Sequence, residues 1–304
     1  MMFAPINPSD INQIEGTYGV LPPLPAVAGN EGVGQVLAVG PSVSGLSPKD
    51  WVIPMPAAGF GTWRALAKAD QGVLQRCPND IPAEQAATIG VNPCTALRML
   101  RDFVKLSPGD CVIQNGANSQ VGLAVVQIAR EMKVKTINVV RRRPPEQEDG
   151  SAELVKSLGG DVVITQEELE DRDAYAAATA GLPRPHLGFN CTGGAIATGV
   201  AATLAPGGKL VTYGGMSMRP LVLSAETLQE RGILCEGFWI TRWAQENSRQ
   251  VREEMIEEIT EMIRVKKLET FVDKYPLSEY KEALQVSQTP FRSRKVTCGL
   301  KHVV

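Results

Sequence analysis

Two segments carry the clearest chemical signal in the chain, Asn115-Gly-Ala-Asn-Ser-Gln-Val-Gly122 and Arg141-Arg-Arg143. The first lies between a short apolar run, Cys111–Asn115, and Val121–Met132, whose apolar residues recur at helical spacing. Small side chains at a strand-to-helix join let the backbone approach a phosphate. The helix N-terminus adds unpaired N–H groups and a positive dipole end. In the Gly-x-Gly-x-x-Gly register of a dinucleotide loop the key positions are Ala117, Ser119 and Gly122, so the fingerprint is degenerate and its placement carries the reading. The second segment ends the strand predicted over Thr136–Val140. A ribose 2′-hydroxyl calls for Asp or Glu at that place, whereas a 2′-phosphate calls for arginine with its planar, permanently charged fork. Three arginines with no acidic residue before Glu146 predict NADPH rather than NADH. In isolation a basic triplet would read as a solvated charge run.

The elements around these segments alternate. Strands are predicted at Cys111–Asn115, Thr136–Val140, Val162–Ile164, Leu187–Cys191, Lys209–Tyr213 and Ile233–Phe238, with helical stretches between most of them. Such alternation implies right-handed βαβ units and a parallel, doubly wound Rossmann sheet. The first part of the chain differs. It is rich in Pro and Gly, with short apolar runs at Val33–Val39 and Trp51–Ile53, and reads as all-β and loop-rich. Ala83–Val104 has helical spacing interrupted at Asn92-Pro93, and Glu253–Lys266 reads as an amphipathic helix. Turn chemistry and a strand at Lys295 return at the end. The nucleotide-type domain, 96–266, is therefore read as inserted between two parts of a β-rich domain, 1–95 and 267–304.

Composition excludes several classes. The chain has 304 residues, 31 basic and 33 acidic side chains and a net charge of -2, which is unlike a nucleic-acid protein. Histidines number two (His186 and His302), and the six cysteines form no Cys-x-x-Cys pair, which excludes zinc fingers and ribbons. No apolar run reaches the ~20 residues of a membrane span, and the opening Met-Met-Phe-Ala-Pro is neither a signal nor an Arg-rich transit peptide.

Several stretches resemble the mitochondrial trans-2-enoyl thioester reductases of the medium-chain dehydrogenase/reductase superfamily. They are Asn7-Pro-Ser-Asp-Ile-Asn12, Gly29-Asn-Glu-Gly32, Gly61-Thr-Trp63, Asn92-Pro-Cys-Thr-Ala96, Tyr213-Gly-Gly-Met216 and Gly237-Phe-Trp239. The resemblance runs over essentially the whole chain and implies a GroES-like catalytic domain around the Rossmann sheet. It also implies reduction of the trans-2 double bond of an enoyl thioester, on acyl carrier protein or CoA, by a homodimer using NADPH in mitochondrial fatty acid synthesis. Tyr18 in Gly16-Thr-Tyr-Gly19 matches the family's catalytic tyrosine. Hydride arriving at Cβ leaves an enolate that needs a proton at Cα, and a phenol, protonated at neutral pH, can supply it. Asn92 matches a nicotinamide-side contact, with Thr95 beside it as a further cofactor contact, and Asn118, Ser119, Gln120 and Val121 match the pyrophosphate loop. Arg141, Arg142 and Arg143 match the 2′-phosphate clamp, with Arg142 a departure from the usual Asp. Tyr213, Gly214, Gly215, Met216, Phe238, Trp239, Ile240 and Lys295 match further cofactor contacts, and Gly90, with Trp239, the acyl pocket.

Zinc alcohol dehydrogenases of the superfamily carry Gly-His-Glu where this chain has Gly29-Asn-Glu31, so no metal is expected. Relatives begin with a targeting peptide and strands ahead of the Asn-Pro-Ser-Asp stretch. With Met1 so near Asn7, the leading strands are expected to be missing, opening a sheet edge and exposing apolar surface near Tyr18. The resemblance gives a mitochondrial location, while the lack of a visible transit peptide leaves a cytoplasmic one open. Two rival readings stand beside this one. One is an NADPH quinone or alkenal reductase of the same zinc-free branch, and the other is a non-catalytic NADPH-binding protein.

Overall fold

A computed structural model of the chain describes residues 1–55, 59–143, 150–289 and 293–300; Glu146 and His302 lie outside these. The chain forms two compact units, Met1–Cys94 with Ile240–Val304, and Thr95–Trp239.

The first unit opens with β1 (Phe3–Pro5), α1 (Pro8–Ile14), β2 (Gly34–Gln35), β3 (Trp51–Pro54), β4 (Leu74–Cys77) and α2 (Ala83–Ala86). β2, β3 and β4 form a small antiparallel sheet. The strand expected over Val33–Val39 is regular only at Gly34–Gln35; Leu37 and Val39 are exposed and lack an inner face to alternate against. Helix α1 interrupts a stretch read as all-β. Asn7 precedes it in extended backbone, Pro8 stands in its first turn, and the Asp10 carboxylate accepts from the Asn7 N–H at 2.7 Å. Those are start signals for a helix, strong enough to seed one in Pro-rich surroundings.

Helix α3 (Asn92–Asp102) begins in the first unit and belongs to the second from Thr95, and the second unit goes on with β5 (Cys111–Asn115), α4 (Gln120–Glu131), β6 (Lys135–Val140), α5 (Ser151–Ser157), β7 (Val162–Thr165), α6 (Gln166–Glu170) and α7 (Arg172–Ala178). It continues with β8 (Leu187–Asn190), α8 (Gly194–Thr203), β9 (Lys209–Thr212) and β10 (Leu234–Gly237). The six strands form one parallel sheet in the order β10-β9-β8-β5-β6-β7. This bears out the Rossmann reading, and each strand starts within two residues of its expected place. Its core is a continuous apolar cluster built on Ile113, Ile137, Val139, Val200, Leu204 and Leu210. From β5 the chain winds one way through β6 and β7, and from β8 the other way through β9 and β10. The β5/β8 pair is therefore the topological switch point, where such sheets open a crevice at the strands' C-terminal ends.

The return segment adds α9 (Ile240–Glu246), α10 (Arg249–Arg264), β11 (Val272–Pro276), α11 (Tyr280–Ser287) and β12 (Lys295–Gly299) to the first unit. β12 is the centre of a three-stranded sheet, antiparallel to β1 and parallel to β11. Met1, Ala4, Ile6, Ala283, Val296 and Cys298 are buried together under it. The amphipathic helix read within 96–266 is α10, which packs against β4 in the first unit. Its apolar face is formed by the buried Met255, Ile256, Ile259 and Ile263, with Met262 half-buried beside them. A periodic pattern shows which face is apolar but not which surface covers it.

Candidate functional site

At the switch point the side chain of Asn115, the last residue of β5, donates to Asn190 Oδ1, the last of β8, at 2.8 Å. Asn190 Oδ1 also accepts from the backbone N–H of Thr192 and Gly193 at 3.1 and 3.0 Å, and its amide donates to Thr212 Oγ1 on β9 at 3.1 Å. Asn115 Oδ1 takes the N–H of Cys191 at 2.9 Å. Two buried carboxamides thus tie the tips of three strands into one rigid floor, with their donors and acceptors used in complementary directions.

The glycine loop lies on this floor. Gly116 has φ +61, and an added Cβ there would meet Cys191 Sγ at 2.5 Å. Ser119 caps α4, its hydroxyl accepting from Gly122 N–H at 3.1 Å. A Cβ at Gly122 would meet Ala117 O at 2.5 Å, so loop and helix touch where only glycine fits. Along the same edge, the Tyr213 hydroxyl is buried beside Cys191 and Ser119, and burial raises its pKa well above that of a free phenol. The backbone N–H of Met216 donates to Cys191 O at 2.9 Å, which folds Tyr213–Met216 back over the floor. Met216 itself is 64% exposed. Arg141, Arg142 and Arg143 follow the C-terminal end of β6, and Arg142 reaches Glu167 at 3.7 Å in an exposed ion pair. Thr95 is buried in this unit, Phe238 packs edge-to-face on Phe103 with ring centroids 6.0 Å apart, and Trp239 is half-buried. The small-residue cradle, the capped helix N-terminus and the arginine run together fit a phosphorylated dinucleotide.

The other predicted residues belong to the first unit. Tyr18 is half-buried on the loop after α1, its N–H donating to Asn12 O at 3.1 Å. Asn92 is 7% exposed and its side-chain NH2 is buried without a hydrogen-bond partner, a donor fitted to an external carbonyl such as a carboxamide. A Cβ added at Gly90 would meet only Glu31, at 3.8 Å, among the described atoms within 4 Å, so glycine leaves space there. Ile240 is buried at the start of α9. Lys295, expected as a cofactor contact, is 3% exposed on β12, and its ammonium donates to Asn7 Oδ1.

Around Lys295 lies a buried polar cluster drawn from two of the quoted stretches, 7–12 and 29–32, whose meeting the sequence did not show. Asn7 Nδ2 donates to Glu31 Oε2 at 2.9 Å, and Glu31 Oε1 accepts from Val91 N–H at 2.8 Å, next to Asn92. Asp10 accepts from the backbone and side-chain N–H groups of Asn30 at 3.0 and 2.6 Å. Burial raises the pKa of both carboxyls, while the Lys295 ammonium and the hydrogen bonds pull them back. The Asn7-Pro-Ser-Asp10 start signal could have located α1 and with it this cluster.

These donors do not suit zinc. Among the described residues no three His, Cys, Asp or Glu side chains converge. Asn30, at the place where zinc enzymes carry histidine, spends both amide hydrogens on oxygens of Asp10 and Gln13. The thiols are poor thiolate candidates: burial first of all pushes Cys77 and Cys111 up to about 12 and Cys298 up to about 11.

Comparison with known proteins agrees with this geometry. Residues 1–91 match the family described as alcohol dehydrogenase GroES-like domain, and residues 121–261 match the family described as zinc-binding dehydrogenase. The chain is 49% identical over 296 residues to the mitochondrial enoyl-[acyl-carrier-protein] reductase of Mus musculus, covering 97% of this chain and 78% of the mouse protein. It resembles the solved Etr1p/NADP/crotonyl-CoA complex with a TM-score of 0.87 at 31% identity, over 98% of this chain and 89% of the other. A mitochondrial 2-enoyl thioester reductase Etr1p/Etr2p heterodimer from Candida tropicalis matches with a TM-score of 0.86 at 32% identity, over 98% and 89% of the two chains.

Proposed function

The chain belongs to the mitochondrial enoyl-[acyl-carrier-protein] reductase family, and from that premise we propose that Tyr18 is the proton donor of its reaction. The protein is an NADPH-dependent enoyl thioester reductase: it reduces the trans-2 double bond of an enoyl group held as a thioester. The observation that carries this conclusion is identity with an enoyl-[acyl-carrier-protein] reductase along nearly the full chain.

NADPH supplies the hydride. The rest is work for the chain's own groups. The N–H groups at the start of α4 and the loop 116–119 bind the pyrophosphate, and Arg141, Arg142 and Arg143 hold the 2′-phosphate. Asn92 orients the nicotinamide through its unspent NH2. Gly90, bearing no side chain, leaves room for the acyl chain. Tyr18 delivers a proton to Cα as Cβ becomes saturated, and the phenol is the right acid because it keeps its proton at neutral pH. We further infer a mitochondrial site of action, supported by the relatives' location, and pairing with a second copy of the chain, supported by the heterodimer of similar fold.

The test is NADPH oxidation with crotonyl-CoA as the acceptor. The wild-type chain is expected to consume NADPH, and Tyr18→Phe to lower kcat about 100-fold, the usual worth of a positioned acid, with NADPH affinity unchanged. Turnover with quinones but not with crotonyl-CoA would overturn the activity, and an unchanged kcat in Tyr18→Phe would overturn the role of the tyrosine.

A further inference from the structure

Tyr18 lies on an irregular loop, yet a proton donor must be held to within a fraction of an ångström of its target. What holds the loop can be traced bond by bond. The loop leaves α1 through Gly16, at φ +72, and turns back over the helix end. The N–H groups of Thr17 and Tyr18 both donate to Asn12 O, at 2.8 and 3.1 Å. On the far side of Tyr18, Gln13 Nε2 donates to Val20 O at 3.1 Å. The tyrosine is therefore bracketed by two consecutive residues of α1, one on each side.

A helix of seven residues is too short to hold its own geometry. Its anchor is Asp10, 1% exposed, which takes three N–H donors: Asn7 N at 2.7 Å, Asn30 N at 3.0 Å and Asn30 Nδ2 at 2.6 Å. The second hydrogen of the same Asn30 amide goes to Gln13 Oε1 at 2.6 Å. With its oxygen fixed there, the Gln13 carboxamide has its NH2 turned to Val20. Asn30 is itself fixed by its neighbour, since a Cβ at Gly29 (φ +93) would meet Thr62 Oγ1 at 2.3 Å and Trp63 at 2.4 Å. The chain Asp10–Asn30–Gln13–Val20 thus runs without a gap from a buried carboxylate to the loop that carries the acid.

We propose that Asn30 and Gln13, seated on Asp10, are positioning residues that hold the Tyr18 loop in the geometry for proton delivery. The proposal rests on the function given above. Each amide makes two bonds on the path: Asn30 donates to Asp10 and to Gln13, and Gln13 accepts from Asn30 and donates to Val20.

The test uses Gln13→Met, which keeps the side chain's length and leaves the Asp10–Asn30 contacts in place. The variant is compared with wild type, Tyr18→Phe and the double variant, all with crotonyl-CoA and NADPH. The expected result is a fall in kcat of about tenfold when Tyr18 is present, with the KM for NADPH unchanged, and of less than about twofold in the Tyr18→Phe background. A change confined to the tyrosine background is what a positioning role gives and a general loss of structure does not. Equal losses in both backgrounds, or no loss in either, overturn the proposal. Hydrogen exchange of residues 15–21 gives a second readout that needs no turnover: Gln13→Met should speed it several-fold, and an unchanged rate overturns the proposal. A wild-type chain that leaves crotonyl-CoA unreduced removes the function instead, and the exchange rates then decide alone whether the relay holds the loop.

Discussion

Replacing Gly122 by alanine separates cofactor binding from folding in a way the structure quantifies. The new Cβ would stand 2.5 Å from Ala117 O and 2.7 Å from Ala117 C and Cα, where ordinary contact begins at 3.4 Å. Ala117 belongs to the loop and is fully buried on the strand floor, so a shift of 3.4 − 2.5 = 0.9 Å must be taken up by the loop or by the first turn of α4. Overpacking of this kind costs about 1–3 kcal/mol. Gly122 stands in the first turn of α4 and not in its interior, so little of alanine's helix preference offsets this and the net loss of stability stays at about 1–3 kcal/mol. Binding should suffer more. A charge-assisted hydrogen bond is worth about 1.5–3 kcal/mol, so moving a single loop amide off a phosphate oxygen weakens the cofactor about 10- to 100-fold. Fluorescence titration of NADPH and of NADH against Gly122→Ala, alongside urea unfolding, measures both effects. The pyrophosphate is common to the two cofactors, so both dissociation constants should rise alike. A well-folded variant that binds NADPH within twofold of wild type would refute the reasoning.

Two further outcomes follow from the same unit and from the thiols. Arg141→Glu should weaken NADPH at least about tenfold, the scale of a charge-assisted contact, and NADH less than threefold; equal weakening would exclude a 2′-phosphate clamp. Ellman's reagent at pH 8 should titrate one thiol quickly in the native chain, Cys235, because the other five cysteines are buried. Burial also holds Cys77 and Cys111 near 12, so at pH 8 they carry almost no thiolate. All six thiols should react in urea, and two or more fast native thiols would contradict the burial.

Legibility in the sequence followed the range of the interactions concerned. β5 to β10 were readable because each is a short run with apolar residues closed by turn residues, and the central strands β5, β6 and β8, buried on both faces, need nothing subtler. The cofactor loop was readable by place more than by motif. Its glycine requirement falls at Gly116, with positive φ against Cys191, and at Gly122, against Ala117, while Ala117 and Ser119 occupy register positions that need no glycine. Helix α1 was missed because its stability is local capping chemistry in a Pro- and Gly-rich stretch, with too few turns to show a period. Lys295, which the resemblance gives as a cofactor contact, meets Asn7 for a reason no local pattern carries: the two stand at opposite ends of the chain, and only the fold brings them together.

Asn30 shows why the local motif and the distant contact have to be read together. By sequence it only removes a zinc ligand, a negative statement about the site. In the fold its amide donates to both Asp10 and Gln13, which a metal-bound imidazole could not do, because with one nitrogen on the metal it has a single N–H left to give. The residue at the place of the zinc ligand is thus the donor that joins Asp10 to Gln13.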